Sequence, residues 1–123
     1  MTEVGNPATE LSYLLSEKGP LLVIALLGPM TRPNEEMLAK CQEEIAKKPF
    51  QITVISLHDV TTMDYQGIAA FVRLQKAVRD KPSGLRICFV KPEFRKLLDE
   101  RGAIRPNELA GNLREAIESF GKK

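Results

Sequence analysis

Apolar positions along the chain change period several times, and the changes mark out alternating strands and helices. Residues 10–17 have a mixed pattern that predicts a first strand at a sheet edge, followed by a turn at Lys18-Gly19-Pro20. Residues 21–27 are apolar throughout and few, the pattern of a central strand buried on both faces, so the two segments read as a hairpin. Gly28-Pro29-Met30-Thr31-Arg32-Pro33 is predicted to break that strand. Arg32 precedes a proline and so avoids the helical region, which places a helix start near Pro33 or Asn34. Met37, Leu38, Cys41 and Ile45 form the buried stripe of that helix. Glu35 and Glu36 at its start and Lys47 and Lys48 at its end suit its dipole, and Pro49 stops it.

Residues 51–57 are a β-branched run and predict the next strand. Beyond it the apolar spacing becomes helical. Ile68, Phe71, Val72, Leu74 and Val78 recur on one side with Ala70 and Ala77, predicting an amphipathic helix to about Asp80. Residues 58–63 are then a strand-to-helix turn, with Asp64 placed to cap the helix. Lys81-Pro82-Ser83-Gly84 turns the chain into a strand at 85–90. Pro92 starts a short helix over 93–101 that Gly102 stops as a C-cap. Residues 103–105 predict a short edge strand. Asn107 is predicted to cap a last helix with Leu109, Leu113, Ala116, Ile117 and Phe120 as its stripe. The order is β-β-α-β-α-β-α-(β)-α. It predicts an α/β fold with a small mixed sheet, mostly parallel after an initial antiparallel hairpin, and about four helices. Residues 1–9 read as a flexible leader, 10–120 as a single domain and 121–123 as a short tail.

Composition narrows what such a domain does. A net charge of +2, with Lys and Arg dispersed, gives no footprint for nucleic acid. No apolar run approaches the roughly 20 residues that span a bilayer, and the polar first ten residues do not resemble a secretory signal. Cys41 and Cys88 fall in a predicted helix and strand at no metal-like spacing, and two buried free thiols are the expectation. A cytoplasmic location follows from these features.

Chemistry has little to stand on. His58 is the sole histidine, and nothing arranges it with Asp59 or Asp64 as a catalytic set. Neither catalytic nor metal-ligating residues are expected, and no phosphate-binding glycine loop or cofactor motif is present. Gly67, in the first turn of its helix, admits two readings: close packing of helix on strand, or the approach of a small anion. In open α/β sheets the carboxyl ends of strands carry the functional surface, which directs attention to residues 58–71.

Asp59-Val60-Thr61-Thr62-Met63-Asp64-Tyr65-Gln66-Gly67-Ile68-Ala69 resembles the signature of STAS domains, shared by sulphate transporters and bacterial anti-anti-sigma factors. The family pattern runs from a hydrophobic strand through Asp to Met-Asp-Ser-Ser-Gly-Leu-Gly and an apolar helix. Asp59, Met63, Asp64, Gly67 and Ile68 match it, whereas Tyr65 and Gln66 occupy the two hydroxyl positions. Residues 92–104 are similar to a second family segment, with Gly102 and Ile104 near the expected places. The resemblance implies a non-enzymatic regulator of the anti-sigma factor antagonist kind. Such a protein docks a kinase-like partner through the turn and helix at 59–72, with Asp59, Thr61, Thr62, Met63, Asp64, Tyr65, Gln66, Gly67 and Ile68 as its binding residues.

The second hydroxyl position is where antagonists of this family are phosphorylated. Gln66 replaces it, so the usual switch is absent, and Thr61 and Thr62 read as turn residues rather than substitutes. The same resemblance leaves a second class open, the cytoplasmic accessory subunit of an ABC-type lipid transport complex, whose partner is an ABC ATPase. A third is a binder of a small ligand at the helix start near Gly67. The oligomeric state, including a homodimer, stays open.

Overall fold

Five strands lie side by side in chain order in the computed structural model, which describes residues 10–48, 52–79 and 84–120. They are β1 (Ser12–Lys18), β2 (Leu21–Met30), β3 (Ile52–Met63), β4 (Gly84–Cys88) and β5 (Leu109–Ala110). β1 pairs antiparallel with β2, and every later pairing is parallel. The helices are α1 (Glu35–Ala46), α2 (Tyr65–Arg79), α3 (Pro92–Glu100) and α4 (Leu113–Phe120). The mixed α/β architecture read from the sequence is the one observed. The predicted leader, the stop at Pro49, the strand start at Gln51, the helix end at Asp80, the turn residues 81–83 and the tail lie outside the described residues.

Strand alternation assigns the two faces of the sheet. Leu22, Ile24 and Leu26 of β2, Ile55 and Leu57 of β3, and Leu85 and Ile87 of β4 point to one side. There they bury Leu38, Cys41 and Ile45 of α1, Ile68, Phe71 and Leu74 of α2, and Phe94 and Leu98 of α3. The other side is thinner: Val54 and Cys88 pack on Ala116 of α4, with Ala110 and Leu113 at the margin. So α1, α2 and α3 cover one face and α4 the other. Cys41 and Cys88 are both free and buried, in separate clusters, and burial pushes their thiols up to about 12 and about 11.

Four features differ from the sequence reading. The predicted break at 28–33 starts only after Met30, at Thr31 and the 3-10 turn Arg32–Asn34, and the predicted turn at 58–63 is strand throughout. β2 and β3 run on together as a parallel ribbon past the last β4 pair, with Leu27 opposite Asp59 and Met30 opposite Met63. Register shifts accompany Gly28 and Pro29, and Gly28 takes φ +102, backbone that glycine adopts freely. Past Leu27 no β1 residue pairs with β2, so the amide that Pro29 lacks removes no ladder bond on that side.

Residues 103–105 form no strand; the edge strand is β5. Nor does Asn107 cap the last helix, since it sits in a single 3-10 turn, Pro106–Glu108. The cap is Asn112, whose Oδ1 accepts from the Glu115 amide at 2.9 Å. A buried ion pair explains the displacement. Arg79 at the end of α2 grips Glu108 with both Nε and Nη2, the former at 3.0 Å, pinning the turn that feeds β5.

The stop at Gly102 is as the sequence reads. Gly102 takes φ +64, its amide donates to Asp99 and the Ala103 amide to Leu98, a Schellman end with buried Leu98 and Ala103 in contact range.

Candidate functional site

The carboxyl ends of β2 and β3 and the start of α2 meet at Asp64, the one residue between strand and helix. Its Oδ1 accepts from the Gly67 amide at 2.7 Å, its carbonyl takes the Ile68 amide at 2.9 Å, and its Oδ2 takes the Arg32 amide at 3.0 Å. Its own amide donates to Met30. One carboxylate therefore caps α2 and ties it to the exit of β2.

Gly67 completes that junction. A Cβ built there would lie 1.9 Å from the Met30 carbonyl oxygen and 2.4 Å from its carbon. The helix thus approaches the β2 backbone more closely than any side chain permits, and of the two readings of this glycine the packing one describes the geometry. Met63, Gly67 and Ile68 are buried beneath the surface, together with Val60.

The remaining signature residues face outward. Asp59, Thr61 and Thr62 are exposed on the β3 extension, and Tyr65, 53% exposed, and Gln66 open α2. Ala69 and Arg73 continue the same exposed side of the helix, with Arg73 within 3.4 Å of Glu35 on α1. His58 Nδ1 lies 3.1 Å from Asp59 Oδ1, both side chains open to solvent, and the imidazole meets the Phe89 ring edge-on at 5.1 Å. The nine residues singled out in the sequence therefore form one contiguous patch, but as two layers: five present a surface and four hold it in shape.

Three contributors escaped the sequence. Arg101, at the end of α3, places its guanidinium 3.6 Å from the centre of the Tyr65 ring. Lys91, at the start of α3, reaches the Val60 carbonyl at 3.3 Å. Neither pairing has a local signal, because both depend on where the sheet sets α3 down. Asn34 is the third. It is buried, its Oδ1 accepts from the Leu11 amide, and its Nδ2 donates to Pro29 and Thr31. It fixes the exit of β2 against the entry of β1, where the sequence showed only a helix-start asparagine.

Residues 13–116 match the model of the STAS domain, and the chain belongs to that family. An anti-sigma F factor antagonist of Paenibacillus polymyxa is 24% identical over 86 residues, covering 69% of this chain and 74% of that protein. The crystal structure of an anti-sigma factor antagonist from Mycobacterium paratuberculosis superposes with a TM-score of 0.77 at 15% identity, over 91% of this chain and 95% of the other. The anti-sigma factor antagonist SpoIIAA in its unphosphorylated form gives 0.70 at 17% identity, over 89% and 96%. Antagonist members of the family are generally not enzymes. Among the described residues, no helix is long and apolar enough to cross a membrane, and no group of three or more His, Cys, Asp or Glu is placed to hold a metal ion.

Proposed function

We propose that this chain is a cytoplasmic, non-enzymatic protein-binding regulator of the anti-sigma factor antagonist kind, docking its partner through the surface of residues 59–72. The observation that carries this reading is the pair Tyr65 and Gln66, held outward at the head of α2 by the Asp64 cap and the Gly67 close approach. Asp59, Thr61 and Thr62 flank the pair on the β3 extension, and Met63, Asp64, Gly67 and Ile68 support it from below.

The surface is fixed in its docking state. In a switched antagonist, phosphate on the hydroxyl at this helix start adds close to two negative charges, and repulsion and desolvation then oppose docking. Gln66 accepts no phosphate, stays neutral and still offers a donor and an acceptor. Tyr65 supplies an aromatic anchor, with the Arg101 guanidinium stacked over one face of its ring. Thr61 and Thr62 serve as contact residues and not as replacement phosphosites.

Immobilised protein exposed to lysate of its own host, with retained proteins identified by mass spectrometry, tests the reading. An ATPase-fold anti-sigma regulator is expected, lost from a Tyr65→Ala column. Capture of an ABC ATPase instead, or of nothing with ATP or ADP added, contradicts it.

A further inference from the structure

The connections of the sheet change sides at one place. The segments leaving β2, β3 and β4 lead to α1, α2 and α3 on one face, whereas the segment leaving β5 leads to α4 on the other. Adjacent parallel strands whose connections diverge leave a crevice at their carboxyl ends, and open α/β sheets bind small ligands there. Here a cleft of about 310 Å³ lies at that point. It is lined by Phe89 and Val90 after β4, Leu109, Ala110 and Gly111 at β5, Arg95 of α3 and Glu115 of α4. Topology and cavity thus indicate the same spot, on the β4–β5 side of the sheet rather than at the Asp64 junction.

The lining defines what fits. Phe89, Val90, Leu109 and Ala110 are half-buried apolar walls. Phe89 takes φ +60, a left-handed backbone uncommon for a bulky residue, and such strain collects at ligand sites. Arg95 brings a guanidinium without an ion-pair partner among the described residues. Glu115 uses Oε1 to accept from the Gly111 amide at 3.0 Å, leaving Oε2 for another donor. Its own amide donates to Asn112 Oδ1, so that helix-start donor is already used, and the recognising groups are the two side chains. The volume equals about ten waters of liquid, ample room for one amino acid.

We propose that this crevice binds a small zwitterion, an α-amino acid with an apolar side chain. Its carboxylate pairs with Arg95, its ammonium with Glu115 Oε2, and its side chain lies on Phe89 and Leu109. A fork-shaped guanidinium suits a carboxylate, and each charge-assisted bond is stronger than a neutral one. The opposed charges also select against ligands that carry only one of the two groups.

Titration of the full ¹⁵N-labelled chain with L-leucine, L-valine and L-phenylalanine, followed by amide shifts, tests the site. Saturable shifts at Val90, Ala110 and Gly111 are expected from at least one of them. Isovalerate and isoamylamine, which each lack one charged group, should bind about tenfold more weakly or less. Arg95→Gln and Glu115→Gln should each weaken the amino acid by a similar factor while leaving the melting temperature unchanged. The glutamine at 115 retains an acceptor for Gly111. No saturable shift with any of the three amino acids at millimolar concentration overturns the proposal. So does equal binding by isovalerate, or full binding by the two variants. None of these results bears on docking at 59–72.

Discussion

Gly67 has no room for a side chain, because a Cβ there meets the Met30 carbonyl backbone and not a movable side chain. Gly67→Ala is expected to lower stability by about 3 kcal/mol or more, measured by urea unfolding. A loss below the scatter of surface substitutions would contradict the close approach. The type of residue needed here was legible, since a glycine in the first turn of a helix after a strand admits few roles, and Asp64 was legible as a cap for the same local reason.

Asn34 was not legible in its actual role. Its partners Leu11 and Pro29 come from other segments, and local sequence showed only a helix-start residue. Gln75 poses the opposite case. It is buried in α2 with both amide atoms unpaired among the described residues, although its spacing belongs to the apolar stripe. An unsatisfied buried amide carries a desolvation cost, so Gln75→Met should raise stability by about 1 kcal/mol. A loss in the same unfolding assay would show that the amide is satisfied in solution.

At the scale of elements, periodicity located all four helices and four of the five strands, most of which bury an apolar stripe against the sheet or its helices. Boundaries failed where proline and glycine were read as breaks. In β2 they mark a bulge, and with β3 the strand runs on to Met30 and Met63, carrying Asp59, Thr61 and Thr62 on a pleated ribbon. The two-residue β5 has no periodic signal at all and is positioned from outside. Arg79 and Glu108, 29 residues apart, hold the turn ahead of it with side chains only 18% and 9% exposed. Removing one partner strands a nearly buried charge. Glu108→Ala should cost about 3 kcal/mol, and hydrogen exchange at Leu109 and Ala110 should accelerate with it. A change under about 0.5 kcal/mol, the scale of an exposed pair, would contradict the assigned role.

For the molecule as a whole, the order of elements and the signature residues together were enough to read the family, and the fold agrees. The division of the patch into a supporting layer and a presented layer was not readable, nor was the approach of Arg101 to Tyr65, because both arise from how the helices sit on the sheet. On the proposed reading, a docking surface with no hydroxyl at position 66 should behave as a permanently competent one. The most direct test is the affinity of the captured partner for the wild-type chain and for Gln66→Asp, by calorimetry on folded proteins. A carboxylate beside Asp64 restores part of the charge of a phosphate, and at least a tenfold loss of affinity is expected. Equal affinity for the two proteins would contradict docking at the head of α2.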